Sequence, residues 1–243
     1  ILETEHYIDG QHNGGIYSPM NHNTYGYTYN NPVIYVDPNG KQNYFTHGTW
    51  SDPDTFKDKQ GLRNATYRAF GNKEGENLIT WNGYNIASDR KLAAKKVVRE
   101  ILRTMSSDIN EPITLVGHSH GGNVNIEALN MMVEMPEFKG RQLNLMTINT
   151  PVRDDYQLSE KAQARINHIN VYDVGDEVQK NGGNSIKISD GKSFLTGEFG
   201  VAGQIFKNAI NIETDNKKPI WNQHKSHNRV YEWIHKLPKQ DER

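Results

Sequence analysis

At 243 residues the chain has room for one large domain, or one domain with a short appendage. Charged residues are only 23% and the formal net charge is -1, which excludes a self-repelling disordered chain and gives no electrostatic case for nucleic-acid binding. No apolar run approaches the roughly 18 residues of a membrane span, and the absence of cysteine removes disulfides, cysteine zinc sites and thiol catalysis.

Hydrophobic residues make up 35% of the sequence, below the roughly 45–50% apolar share of ordinary globular chains. The polar excess is uncharged, in Asn, Gly, His, Ser and Thr, as suits a loop-rich folded protein. The opening Ile1-Leu2-Glu3 has no initiator Met, no basic segment and no apolar segment, so it reads as part of a longer chain rather than a signal peptide. Residues 1–41 are dense in Tyr, Asn and Gly. Tyr25-Gly26-Tyr27-Thr28-Tyr29 reads as short β-strand, and Asn30-Asn31-Pro32 and Asp37-Pro38-Asn39-Gly40 are turn signals. The run from Tyr25 to Gly40, and above all Pro32 followed by Asp37-Pro38-Asn39-Gly40, resembles the end of the core of Rhs/YD-repeat proteins. That resemblance implies a β-rich core remnant over 1–41, a C-terminal toxin domain over 42–243, and self-cleavage just after the motif by an aspartyl-protease-like mechanism within the core.

From Gln42 the pattern changes. Asn43–Thr46 and Leu78–Trp81 are strand candidates. Ser88 caps a predicted helix carrying Leu92, Ala93, Val97, Ile101 and Leu102. The strand Pro112–Val116 runs into Gly117-His118-Ser119-His120-Gly121-Gly122, and Val124, Ala128, Leu129 and Met132 mark the next helix. Leu143–Ile148 and Ile169–Tyr172 are further strands. Val230, Trp233, Ile234 and Leu237 predict a last amphipathic helix that Asn228 would cap. Strands alternating with helices imply an α/β fold with a mainly parallel sheet covered on both faces. The apolar residues between Phe194 and Ile212 leave two readings, a core-packing helix or a lid over a site.

Gly117-His118-Ser119-His120-Gly121 is a G-x-S-x-G sequence set between a strand and a helix, the context of a nucleophile elbow. A Cβ at 117 or 121 would collide with the neighbouring strand and helix. A serine hydroxyl needs a base to accept its proton, and in α/β-hydrolases an acid and then a His follow in the chain. Asp176, in the turn beyond the strand ending at Tyr172, is preferred as the acid over Asp173, a strand-end carboxylate expected to bond local backbone. For the base, His227 is preferred and His224 is the alternative. The backbone N–H groups of His120 and Thr49, the latter in His47-Gly48-Thr49, are the candidate oxyanion donors. His118 is read as a packing position. The ten histidines show no zinc-binding spacing, so neither metal nor cofactor is expected.

His47-Gly48-Thr49-Trp50, Trp81-Asn82-Gly83-x-Asn85, Leu115-Val116-Gly117-His118-Ser119-His120-Gly121-Gly122-Asn123, Asn149-Thr150-Pro151-Val152-Arg153 and Asn170-Val171-Tyr172 with Asp176, Val178 and Gln179 together resemble the lipase-like α/β-hydrolases found as toxin domains of bacterial polymorphic toxins, over residues 43–235. The resemblance implies a serine ester hydrolase with a Ser-His-Asp triad, acting on lipid or phospholipid. It also implies delivery by a bacterial secretion system through the Rhs core, and a cognate immunity protein. A non-lipid carboxylesterase or thioesterase, or a catalytically inactive binding module, are the other readings.

Overall fold

The computed structural model describes residues 42–56, 60–72, 75–184, 186–188, 197–214 and 220–239. The Asp37-Pro38-Asn39-Gly40 motif, the remainder of residues 1–41 and Phe194 lie outside them. In chain order the elements are β1 (Asn43–Thr46), α1 (Gln60–Phe70), β2 (Asn77–Ile79), α2 (Ala87–Thr104), β3 (Ile113–His118), α3 (His120–Met132), β4 (Leu143–Ile148), α4 (Glu160–Gln163), β5 (Ile166–Tyr172), α5 (Glu177–Lys180), β6 (Ile186–Ile188), β7 (Gly197–Phe199), β8 (Ile210–Glu213) and α6 (Ile220–Gln223). Six strands form one parallel sheet in the order β2-β1-β3-β4-β5-β8. The other two, β6 and β7, form a separate antiparallel pair.

Successive side chains of a strand point to opposite faces, and neighbours in this sheet divide accordingly between two cores. Tyr44, Leu115 and Leu145 pack with Val97 and Ile101 of α2 and with Val124 and Leu129 of α3. Phe45, Val116 and Met146 pack on the other side, with Leu62 and Phe70 of α1 and with Val230, Trp233 and Leu237 near the C-terminus. Both faces are therefore covered, which is why the central strands read as short apolar runs.

Buried amides and hydroxyls cross these strands. On the α1 side the Asn144 amide donates to Thr114 Oγ1 (3.1 Å) and its carbonyl accepts from Asn167 (3.1 Å), while Thr114 donates to Asn72 Oδ1 (3.0 Å). On the opposite side Thr147 donates to Asn170 Oδ1 (2.9 Å), and the Asn170 amide donates to Asn211 Oδ1 (2.9 Å). Part of the uncharged polarity of the composition thus lies inside the sheet.

Three local expectations change. The last segment is not an α-helix but a series of 3-10 turns, at Ser226–Asn228, Val230–Glu232 and Ile234–Lys236, so Asn228 caps nothing. Arg229 (φ -126°, ψ 42°) and Trp233 (φ -132°, ψ -12°) interrupt helical geometry. Residues three apart share one side of a 3-10 turn as well as of an α-helix, so the pairs Val230–Trp233 and Ile234–Leu237 still pack inward, with Val230, Trp233 and Leu237 buried. The second change is that no helix occurs over 197–214, where β7 and β8 and irregular backbone stand instead. Thirdly, α2 begins one residue before Ser88, behind Ile86, with no side-chain cap.

The β6–β7 pair is fastened to the body by a buried charge cluster. Glu198 of β7 accepts from Arg90 of α2 and from Arg153 (2.9 Å), and both guanidinium groups flank the Tyr156 ring at 5.1 and 5.0 Å. Asn85 donates to the Glu198 carbonyl and accepts from Arg90 (3.0 Å), and Asp155 accepts from Arg153 (2.7 Å), so two carboxylates balance the two guanidinium groups and each is hydrogen-bonded.

Candidate active site

The site lies at the carboxyl ends of β1, β3, β4 and β5, where ligand and catalytic groups gather in a parallel sheet. Ser119 follows β3 and precedes α3, with φ 54° and ψ -135°. This is a left-handed conformation that a non-glycine residue takes at a cost of about 1–3 kcal/mol. The surroundings enforce it. Ser119 N–H donates to Ile148 O of β4 (2.9 Å), and Ser119 O accepts from Gly122 N–H (3.0 Å). A Cβ on Gly117 would stand 2.5 Å from Gly122 Cα, and one on Gly121 would stand 2.1 Å from Thr46 O. The two glycines are needed for the close approach of strand and helix, as the crowding argument predicts. His120 is the first residue of α3, so its N–H has no acceptor four residues back within the helix.

The loop after β1 comes against the same point. A Cβ built on Gly48 would lie 2.7 Å from Ser119 Cβ and 3.3 Å from its Oγ, so Thr49 follows a backbone that touches the serine. His47 shapes this loop. Its Nδ1–H donates to Gly48 O (2.9 Å), its Nε2 accepts from Trp81 N–H (3.4 Å), and the Trp81 indole donates to His47 O (3.0 Å). Burial lowers the His47 pKa, which keeps the imidazole in the neutral form that this pattern requires. Thr49 Oγ1 is buried with no hydrogen-bond partner among the described residues. Beyond Thr49, Trp50 packs on Phe199 of β7, ring centroids 6.3 Å apart.

Asp176 is fully buried and caps α5: its Oδ1 accepts from Gln179 N–H (3.0 Å). The other oxygen, Oδ2, accepts from Nδ1 of His224 at 2.7 Å. Each oxygen therefore has its own task, one fixing the carboxylate and one orienting an imidazole. Asp173 is occupied elsewhere, accepting from Gly175 N–H (2.9 Å) and pairing with Arg229 (3.4 Å).

The preference for His227 is corrected here: the imidazole on the carboxylate is that of His224. His227 packs at a tilt against His118, ring centroids 4.0 Å apart, and meets Phe56 edge-on at 5.9 Å. The expectation of His227 rests on a helix that starts at Asn228, with His227 directly ahead of it. That helix does not form, and the histidine that meets the carboxylate stands earlier, directly after α6. His118 does more than pack, for its Nε2 lies 2.7 Å from His224 O and must donate to it. His120 is buried, with Nδ1 3.1 Å from the Asn123 amide. Burial first, then nearby positive charge, holds both of these imidazoles well below the usual histidine pKa.

Ser119, His224, His227, Thr49 and His118 line one cavity of about 410 Å³, with Val178 and Lys225 at its wall. A hydroxyl on a strained turn, a carboxylate-oriented imidazole with Nε2 left to accept a proton, and a helix N-terminus share this space, which suits acyl transfer. Among the described residues no group of three or more His, Asp or Glu side chains is placed to hold a metal ion. No helix of the described residues is long and apolar enough to cross a membrane.

A family model described as Mbeg1-like matches residues 54–173, a span that holds Ser119 and stops short of Asp176. No curated protein gives a significant sequence match. Among solved structures, the chain is similar to the lin2722 gene product of Listeria innocua, at 13% identity over 82% of this chain and 92% of that one, with a TM-score of 0.44. It is also similar to a Bacillus cereus carboxylesterase, at 12% identity over 80% and 89%, TM-score 0.38. The Bacillus licheniformis lipase BlEst2 matches at 19% identity over 49% of this chain and 44% of that one, TM-score 0.31. The chain spans less than half the length of that lipase, and of the Paenibacillus extracellular α/β-hydrolase that it matches over 41%. The fold is that of the α/β-hydrolases: a parallel sheet with helices on both faces, a strand–turn–helix bearing a serine, then an acid after β5 and a histidine after β8.

Proposed function

We propose that the protein is a serine ester hydrolase working through an acyl-enzyme, with Ser119 as nucleophile, His224 as base and Asp176 as the group that orients it. The observation that carries this reading is the 2.7 Å bond between Asp176 Oδ2 and His224 Nδ1 beside a serine held at φ 54°. With Nδ1 donating to the carboxylate, His224 Nε2 is the acceptor tautomer. It takes the Ser119 proton as Oγ attacks the acyl carbonyl, and the N–H groups of His120 and Thr49 receive the oxyanion. His224 then returns the proton to the departing alcohol, and a water repeats the sequence to free the acid. Thr49 Oγ1, buried beside the same loop, adds a third donor.

A carboxylic ester is the substrate class. Lipid and phospholipid esters are the first to test, on the resemblance of residues 43–235 to lipase-like toxin domains, and the same resemblance proposes export of the chain and an immunity protein as its partner. The experiment is labelling with a fluorophosphonate probe followed by peptide mass spectrometry. Stoichiometric adduct on Ser119 is expected; a folded protein that takes up no probe would exclude the acyl-enzyme. Labelling also reports on the loop beside the serine. Gly48→Ala inserts a methyl group against Ser119 and is expected to slow probe uptake about 100-fold, the scale of a misplacement near 1 Å, whereas an unchanged rate would remove the His47–Thr49 loop from the site.

A further inference from the structure

The chain around His224 is held by side chains from two other strands. Asn149 Nδ2 donates to Gln223 O (3.3 Å) and Asn149 Oδ1 accepts from Ser226 N–H (3.2 Å), so one amide brackets the histidine from both sides. Between these bonds, His118 Nε2 donates to His224 O (2.7 Å). Asn149 is fully buried at the end of β4, with φ 50°, a left-handed conformation that asparagine tolerates better than other side chains. Its own N–H donates to Val171 O of β5 (2.8 Å), which ties this backbone to the sheet. His118 is the residue directly before Ser119. The strand that presents the serine thus also grips the backbone of the histidine.

We propose that His118 and Asn149 are positioning residues for His224, fixing the backbone on either side of the imidazole so that, once Nδ1 is engaged by Asp176, the ring is kept at the cavity it lines together with Ser119. This rests on the serine-hydrolase reading above. All three bonds end on backbone atoms of residues 223–226, and all arise from strands that end at the site. Asp176 alone fixes one nitrogen of the ring but leaves the ring free to swing about that bond. Holding the main chain at three points removes that freedom.

The test uses three variants of the full chain, assayed on p-nitrophenyl butyrate and by proton NMR of the His224 Nδ1–H resonance. His118→Phe keeps a ring against His224 and His227 and removes the donor. Asn149→Gly keeps the left-handed backbone and removes both amide bonds. His118→Gln restores an N–H near the place of Nε2. The first two are expected to lower kcat roughly 10- to 100-fold with KM changed less than about twofold, and His118→Gln to return within about threefold of the parent. The Nδ1 proton, shifted downfield in the parent, is expected to broaden or vanish in the Phe and Gly variants. Folded Phe and Gly variants with parental kcat would overturn the proposal, as would equal losses in the Phe and Gln variants. Should one variant fail to fold, the other carries the same comparison. If the parent turns over no ester, the catalytic reading falls by itself, and the NMR arm still decides: an Nδ1 resonance equally sharp in all variants overturns the positioning role.

Discussion

Replacing Ser119 by alanine is expected to lower kcat for a short-chain p-nitrophenyl ester by about a millionfold, leaving a residual rate roughly a thousandfold or more above water. The loss is large because no other side chain can form the acyl-enzyme. The residue remains because the N–H groups at His120 and Thr49 still polarise a bound carbonyl. The methyl side chain of alanine takes the same left-handed backbone at no greater cost, so thermal melting of Ser119→Ala should match the parent. A variant that melts normally and hydrolyses at the parental rate would remove the nucleophile.

The second large effect separates two histidines that stand three residues apart. His224→Ala is expected to lower kcat by about five to six powers of ten, close to the loss at Ser119, because serine and base act as one unit and their losses do not add. The double variant with Ser119→Ala should then be scarcely slower than either single one. His227→Phe keeps an aromatic ring between Phe56 and His118, and kcat should stay within about tenfold, with a stability change of about 1–2 kcal/mol. The distinction rests on the carboxylate: Asp176 Oδ2 touches His224, while His227 meets aromatic faces. If His227→Phe were the inactive variant and His224→Ala the active one, the base would have to be reassigned.

The sheet and the elbow were legible in the sequence because their signals are local. Leu143–Ile148 matches β4 residue for residue, and the glycines at 117 and 121 announce a crossing of strand and helix through crowding alone. Helix α1, not among the sequence expectations, carries an equally local signal in Leu62, Ala65, Thr66, Ala69 and Phe70 at helical spacing. The partner of Asp176 was not legible. Two histidines in one loop differ only in which of them the chain turns toward the carboxylate, and that turn is set by bonds to Asn149 and His118, distant in sequence. Asn149 stands directly after an apolar strand and within the Asn149–Arg153 string of the resemblance, and neither signal points to His224. The end of the chain misled because three-residue spacing fits two kinds of helix.

The amides that link Asn72, Thr114, Asn144 and Asn167 across the sheet bear on folding accuracy rather than on strength. An apolar strand can slide along its neighbour and still find oil to touch. Slide β4 by one residue, and Asn144 faces leucines, with each stranded amide costing about 1–3 kcal/mol. Mispaired intermediates are thereby penalised while the chain is still choosing its alignment, and a sequence poor in grease can settle on one register.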